Sequence, residues 1–438
     1  MSKLRSLVAA LAVLTSCVAV AQVDEPERLR IHGSNVLGEQ LVPKLVVAWL
    51  RSIDYGEIRR SEVNAWRTQI SASRDGEQLI VEIDKRGTAS GFRDIVAGEA
   101  EIGMSARAPS AQELDDAWQL GDLRSPGQEW VVALDGMTAI VPTGNRLSSL
   151  SVPQLRDVLA GRVRDWRQLG ALAGPIHLHL SGGAKAMQEL ALQVGLVGKP
   201  VALPATTHAS QAQLTAAVAT DPDALGIIGL RGSRSGVKAL AIRAGESLVS
   251  PDMLAVRSED YPLAHRLYFH TGQLITALGR GFVLYAVSPA GQSVVESSRF
   301  VSLSLVPMDA TRTAHAPAEY QKYVADARRL PMALRFSTGL DLFDSRSRQD
   351  LNRLALLLAR QENSKRRLVL VGFANPDPKD PYQALTLSQE RADYVASELL
   401  ALDMKVVTVR GMGGKMALAN RADTASRQRN DRVEVWLR

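Results

Sequence analysis

The chain has 438 residues, 46% of them apolar and 22% charged, with a formal net charge of +6. That balance excludes wholesale disorder, and at about 100–200 residues per domain it leaves room for two to four domains. A single cysteine excludes intramolecular disulfides and cysteine-rich metal centres, and seven histidines without an HExxH pair leave no zincin signature.

Lys3 and Arg5 precede the apolar run Leu7–Leu14, and Ala19-Val20-Ala21 places small residues before Gln22. This is the pattern of a secretory signal peptide over residues 1–21. A second reading stays open: Leu14-Thr15-Ser16-Cys17 resembles a bacterial lipobox, in which residues 1–16 are removed and Cys17 carries lipid. Both readings export the protein. No later run of about 18 apolar residues suggests a further membrane span.

Residues 28–306 alternate short β-like runs with helical patterns, which reads as α/β. Arg28–Ile31 is a strand candidate that leads through His32-Gly33-Ser34-Asn35 into a helix with Leu37, Leu41, Leu45 and Trp49 on one face. Gly87-Thr88-Ala89-Ser90-Gly91 precedes a helical stretch from Phe92 to Ala97, and Glu101–Ser105 ends another strand-like run. His177–Leu180 leads to Ser181-Gly182-Gly183 and a further helix. A small, hydroxyl-bearing turn at a helix start offers free N–H groups and the positive end of the helix dipole, both of which favour an anion. Four such strand ends converging on one anion is the informative pattern; any one alone is an ordinary N-cap.

These segments, with Leu134-Asp135-Gly136, Leu155–Trp166, Gly226-Ile227-Ile228-Gly229 and Glu259-Asp260-Tyr261-Pro262-Leu263, resemble the phosphate-type periplasmic solute-binding proteins. The resemblance implies a type II-like fold of two α/β lobes joined by two chain crossings, the second lobe spanning about 136–240, with ligand between them. It implies anion contacts from Ser34, Thr88, Ser105, Ser181, Gly182 and Gly183. Where the family has an Asp after the serine, this chain has Ala106 followed by Arg107, and Arg107 is the charge expected to compensate. The family's Arg ahead of its Ser-Gly-Thr corresponds to His177.

Residues 307–330 read as a linker containing Pro307 and Pro317 and a short helix from Glu319 to Arg329. In residues 331–438, Leu334-Arg335-Phe336 reads as a strand and Ser347-x-x-Asp350 as a capping box ahead of Leu351, Leu354 and Leu358. Leu368–Phe373 is a strand, Thr386-x-x-Gln389 opens a second helix, and Val406–Val409 and Val433–Leu437 are strands. The order β-α-β-α-β-β predicts a small α+β domain. The basic excess collects here, 18 basic against 13 acidic residues, which is too thin to point to nucleic acid.

Gly372-Phe373-Ala374-Asn375, Leu387-Ser388-x-x-Arg391-Ala392-x-x-Val395 and Arg427-x-x-Asn430-x-Arg432-Val433-Glu434-Val435 resemble the OmpA-like peptidoglycan-binding domain. In that family an Asp and an Arg clamp the diaminopimelate of the peptide stem. The resemblance places Asn375 at the Asp position and Arg391 at the Arg, with Asp377 or Asp380 as stand-in carboxylates. Neither Gly232-Ser233-Arg234-Ser235-Gly236 nor Gly411-Met412-Gly413-Gly414-Lys415 has the residues of a nucleophile elbow or P-loop. No cofactor, metal ligand set or enzyme activity is expected. The expected protein is an exported binding protein for phosphate or another oxyanion, attached to peptidoglycan near the outer membrane, with an ABC importer as the transport partner the resemblance implies. The alternative is a wall-anchored structural module whose solute site is degenerate.

Overall fold

The computed structural model describes residues 26–181, 194, 196, 201–245, 247–310, 316–336, 343–360, 363, 365–377, 379–419 and 427–438. Residues 1–25, where the signal peptide or lipidated Cys17 is expected, and Gly182 and Gly183 lie outside the described residues.

The first part of the chain runs through β1 (Glu27–Gly33), α1 (Val42–Ser52), β2 (Gly56–Asn64), β3 (Arg67–Arg74), β4 (Glu77–Asp84), α2 (Thr88–Val96), β5 (Ile102–Ser105) and α3 (Ala111–Asp116). It continues with β6 (Glu129–Pro142), β7 (Ser149–Ser151), α4 (Val152–Leu159), β8 (His177–Ser181), β9 (Ala205–His208), α5 (Gln211–Thr220), β10 (Ala224–Gly229) and β11 (Val237–Ala239). Then follow β12 (Ala241–Ala244), β13 (Ser247–Val249), α6 (Met253–Arg257), β14 (Ala264–Thr271), α7 (Ala277–Val287) and α8 (Pro289–Ser297). Among the described residues one sheet runs β2-β3-β4-β1-β5-β14-β6-β10-β8-β9, with β11 also on β6. The alternation Leu79, Val81, Ile83 buries one face of β4, and Leu45, Val46, Trp49 and Leu50 bury one side of α1. β2 is almost wholly exposed and charged, which protects the sheet edge from pairing with another chain.

The two largest hydrophobic cores on this sheet are separate from each other. One gathers Leu29, Ile31, Leu45, Val81, Phe269 and Phe282. The other gathers Val141, Leu155, Trp166, Leu178, Leu225 and Ile242. The 14-residue β6 runs through both, pairing with β14 over its first half and with β10 and β11 over its second. The change comes at Gly136, whose φ of 157° and place opposite Ala264 leave no room for a side chain: a Cβ there would stand 2.2 Å from the Leu263 carbonyl. β6 therefore carries the chain from one core to the other, and β14, which gives Tyr268 to one core and Phe269 to the other, lies beside it.

The C-terminal unit contains α9 (Ala318–Val324), β15 (Arg328–Arg335), α10 (Ser345–Leu358), β16 (Leu368–Phe373), α11 (Pro381–Ala401), β17 (Val406–Gly411) and β18 (Arg432–Leu437). Its sheet order is β15-β18-β16-β17. Leu351, Leu354, Val395 and Leu399 of the helices cover Leu368, Leu370, Val433 and Val435 on one face. Tyr320 of α9 packs with Val369, Phe373 and Trp436 on the other, and its hydroxyl donates to Glu434 at 2.8 Å.

Three local expectations are corrected. The helix of residues 319–329 stops at Val324, because Arg328–Arg335 is already strand and Arg329 pairs with Met308. Ser347 does not open a capping box: Asp344 caps α10 by accepting from Ser347 N at 2.8 Å, and Ser347 Oγ accepts from Arg335 N at 2.7 Å. α11 starts at Pro381, not Thr386, because Asp380 as N-cap and proline in the first turn form the stronger start.

The C-terminal unit packs onto both lobes. Glu259 receives Arg266 at 2.5 and 2.7 Å and Arg346 at 2.9 Å, while Asp260 receives Arg329 at 2.7 Å and Arg335 at 3.3 Å. Arg266 also reaches Asp344 at 2.7 Å, Arg429 donates to the Pro262 carbonyl at 3.2 Å, and Ser345 donates to Glu129. On the other lobe, a Cβ at Gly245 would stand 2.9 Å from the Ala419 carbonyl, and Leu418 joins the second core. Burial opposes ionisation of Glu259, but Arg266 and Arg346 outweigh it and hold this carboxyl far below its usual range. Burial also pushes Glu129 up to about 7, which the Ser345 bond offsets only in part.

Asp260→Ala takes from two buried guanidinium groups, Arg329 and Arg335, their nearest carboxylate and is expected to cost about 3–5 kcal/mol in denaturant unfolding, whereas Asp122→Ala, in an exposed pair, costs under about 1 kcal/mol. Glu129 has a folded-state pKa above its unfolded value, so the unfolded chain loses its proton first. Its contribution is fully present below about 4.5 and is lost as pH rises through about 7. Glu129→Gln is expected to raise stability relative to wild type at pH 8 more than at pH 4.5, read from paired denaturation curves.

Candidate functional site

β4, β1 and β5 are adjacent and parallel, so Asp84, Gly33 and Ser105 end on one edge of the sheet. The connections that leave this edge are locked together through backbone. Ser34 N donates to the Met104 carbonyl at 2.9 Å, and Gly87 N donates to the Gly33 carbonyl at 2.8 Å. Gly33 and Gly91 permit the approach: a Cβ on Gly33 would stand 2.2 Å from Met104 O, and one on Gly91 would stand 2.8 Å from His32 O. The helix after Ser34 begins with a π turn at Leu37–Leu41, and Gly38 N donates to the Ser34 carbonyl at 2.9 Å.

Three of the predicted anion contacts come together on this edge. Ser34 is buried, and its hydroxyl has no hydrogen-bond partner among the described residues. Thr88 opens α2, and its hydroxyl accepts from Ala106 N at 3.1 Å. Ser105 Oγ donates to the Arg107 carbonyl and accepts from Arg107 N at 3.2 Å. Arg107 points elsewhere. Its guanidinium makes a bidentate pair with Glu113 at 2.7 and 2.8 Å and lies 5.6 Å from the Phe92 ring centre. Glu113 in turn closes the capping box of α3 with Ser110. Burial works to raise the Glu113 pKa, but Arg107 and Ser110 outweigh it and hold the carboxyl below its ordinary range.

Sequence reasoning missed the charged cluster beneath this edge. His32 Nδ1 lies 2.9 Å from Asp94 Oδ2, which also receives Arg86 at 2.8 Å, and Arg86 Nε donates to Asp84 at 2.7 Å. Asp84 and Asp94 are buried. The cluster ties the loop before Thr88 to α2 and so fixes the helix N-terminus. The signal for it was two acids and an arginine spread over eleven residues, which looks like ordinary surface charge. Asp135, on β6, accepts from Gly136 N at 2.8 Å; burial pushes its pKa up to about 6.

In the second lobe Ser181 ends β8. His177 stands at the opposite end of that strand, about 13 Å of extended chain away, with its Nδ1 2.9 Å from Asp221 Oδ2. The structure does not bring His177 to the Ser181 end.

The C-terminal unit brings Asn375 and Arg391 together around a residue the motif treats as variable, Asp431. Arg391 Nη1 lies 2.5 Å from Asp431 Oδ1, and the Arg391 guanidinium lies 5.1 Å from the Phe336 ring centre. Asn375 N and Nδ2 donate to Asp431 at 3.0 and 2.7 Å, and Asn430 Nδ2 donates to Asn375 Oδ1 at 3.0 Å. Asp380 is occupied as the α11 cap, and Asp377 accepts from Lys379 N at 3.0 Å. Among these acids, the carboxylate beside Arg391 is Asp431.

Residues 63–290 match the family model of the PBP superfamily domain, and residues 335–432 match that of the OmpA family. The phosphate-binding protein PstS of Bacillus subtilis (strain 168) is 24% identical over 237 residues, 54% of this chain and 74% of that protein. The phosphate-binding protein PstS 2 of Streptococcus agalactiae is 29% identical over 89 residues, 20% of this chain; the chain spans only 27% of that relative's length. A solved structure of a possible phosphate binding protein from Planctomyces limnophilus DSM 3776 aligns with a TM-score of 0.50 at 19% identity, covering 64% of this chain and 93% of that chain. That likeness concerns the fold. No helix among the described residues is long and apolar enough to cross a membrane.

Gly91→Ala places a methyl group against three backbone atoms of the strand edge. It is expected to destabilise the chain by about 1–3 kcal/mol, measured by thermal unfolding, with a larger loss than Gly98→Ala relative to the wild type only if the locked edge exists as described.

Proposed function

Because the chain belongs to the PBP superfamily and carries an OmpA-family domain, we propose that it is a non-enzymatic envelope protein that captures phosphate or a related oxyanion between its lobes and holds to peptidoglycan through its C-terminal unit. The observation that carries the anion reading is the buried, unpartnered Ser34 hydroxyl beside the N-terminus of α2. An unmade hydrogen bond of this kind costs about 1–3 kcal/mol, which an accepting oxyanion relieves. The positive end of the α2 dipole and the hydroxyls of Thr88 and Ser105 extend the same half-site, and Ser181 at the end of β8 is the described residue expected to meet the anion from the other lobe. Arg107 serves by holding the Ser105 turn through Glu113 and does not contact the anion directly. The relatives' designation as phosphate-binding proteins makes phosphate the first ligand to test.

At the wall pocket, Arg391 offers a bidentate partner for a carboxylate and Asp431 a carboxylate for an ammonium. Together they suit the zwitterionic end of diaminopimelate, with Asn375 orienting Asp431. An exported chain of this kind resides in the periplasm against the wall and outer membrane. Packing of the C-terminal unit on both lobes favours local capture or sensing over shuttling to an ABC importer. The second reading, a wall-held interaction module without a solute, draws support from Ala106 at the missing acid and from Arg107 being spent on Glu113.

Calorimetric titration of the full chain with phosphate at constant ionic strength tests the anion reading. One saturable site is expected, weakened about 10- to 100-fold by Ser34→Ala, the equivalent of a charge-assisted hydrogen bond. A flat titration from folded protein selects the second reading. In pelleting assays with purified sacculi, wild type is expected in the pellet and Arg391→Ala and Asp431→Asn in the supernatant; equal pelleting of all three removes the assigned pocket.

A further inference from the structure

At the end of β8 remote from Ser181 lies a set of metal-type donors that neither function uses. One donor atom from each of His177, Asp221 and Asp223 lies within 4.8 Å of the other two. His177 Nδ1 stands 2.9 Å from Asp221 Oδ2. Around a tetrahedral zinc ion with metal–ligand distances of about 2.0–2.2 Å, neighbouring donors stand about 3.4 Å apart, so the ion would need shifts of only some tenths of an ångström between these two groups.

The three groups are held in place from behind. Asp221 Oδ1 accepts from Asp223 N at 2.9 Å, which leaves Oδ2 turned toward His177. His179 Nε2 approaches the same Oδ2 at 3.4 Å, and His179 Nδ1 lies 3.0 Å from His208 Nε2. With His208 donating to Nδ1, His179 is the tautomer that carries its proton on Nε2 and donates it to Asp221; with His208 accepting, a neutral His179 carries its proton on Nδ1 and has none on Nε2 for Asp221. In the first arrangement His208 sets the His179 tautomer and His179 orients the Asp221 carboxylate, the kind of outer-shell support that metal ligands receive. The Asp223 carbonyl accepts from His177 N and Trp166 Nε1, both at 3.0 Å. Gly174 makes room for the Asp223 carboxylate, since a Cβ there would stand 2.5 Å from Oδ1.

The charges are also uncompensated in a telling way. Arginines meet Asp84, Asp94, Glu259 and Asp260. No arginine or lysine pairs with Asp221 or Asp223 among the described residues. Two carboxylates and an imidazole therefore face one another with a net negative charge, half open to solvent on the His177 side. We propose that His177, Asp221 and Asp223 bind a divalent transition-metal ion of the zinc class, with His179 and His208 as positioning residues and solvent completing the coordination. The site fastens the start of β8 to the turn between α5 and β10. It is separate from the Ser181 end of the strand, so it stands or falls independently of anion capture.

Calorimetric titration of untagged full-length protein, stripped with chelator, with zinc chloride in a non-coordinating buffer tests the assignment. One zinc ion per chain is expected, with affinity reduced at least 10-fold in His177→Gln and in Asp223→Asn and less in His208→Gln. Both ligand positions are partly exposed, so melting temperatures of these variants in chelator are expected to match wild type; if one does not fold, the other carries the test. Zinc absorption spectroscopy is expected to show one imidazole with oxygen ligands. Absence of zinc binding by the wild type, wild-type affinity in both His177→Gln and Asp223→Asn, or a spectrum with several imidazoles would overturn the proposal.

Discussion

Two adjacent carboxylates, Glu259 and Asp260, govern how the molecule is put together. They leave α6 on a backbone whose φ at Glu259 is 59°, and they lead into β14. Buried carboxylates without partners would be prohibitive, and the partners come mainly from the other unit: Arg329, Arg335 and Arg346. Each unit thus completes the other's charge balance. Arg335 also donates to the Ser258 carbonyl at 3.0 Å, so the contact extends from side chains to the backbone of that segment itself. The C-terminal unit is seated against the segment between α6 and β14, and through Gly245 and Leu418 it reaches the second core as well. A tether would leave the lobes free; this arrangement gives the C-terminal unit a fixed purchase on them.

The proposed anion half-site follows from different physics. Parallel strands deliver their following turns to one edge, and glycine at 33 and 91 lets those turns touch. What gathers at this strand edge is a set of neutral hydroxyls and a helix N-terminus, while the nearby formal charges are already paired: Arg107 with Glu113, and Arg86 with Asp84 and Asp94. Recognition built on neutral donors is less sensitive to salt than ion pairing. It depends instead on geometry, which is why the buried cluster under the edge matters although it touches no ligand. The same economy holds in the C-terminal unit, where Asp431 neutralises Arg391 and would supply the second charge of the proposed zwitterion pocket.

Much of this was legible beforehand because it is local. Alternation and helical spacing gave the strand and helix order of the C-terminal unit, and the Gly-Ser and Gly-Thr turns marked Ser34 and Thr88, which the fold brings to one edge with Ser105. Helix starts were less legible where two signals compete, as at Thr386 against Asp380-Pro381. The docking surface was not legible at all. Arg335 and Arg346 sit in amphipathic patterns where an arginine normally faces water; only the arrival of Glu259 from far along the chain makes them interior. Asp431 was hidden for a related reason, occupying a variable place in a motif while the expected acids, Asp377 and Asp380, had local bonds to make. His177 was read through its neighbours in sequence, whereas its partner Asp221 is 44 residues away.

The most direct test of a wall-held oxyanion binder measures both activities in one tube. Full-length protein is mixed with purified sacculi and radiolabelled phosphate, sedimented, and the pellet is counted for protein and label, with excess cold phosphate as the control. The account expects label in the pellet in proportion to protein, displaced by cold phosphate and absent without protein. Protein that pellets without label, or label that follows protein remaining in the supernatant, would contradict it.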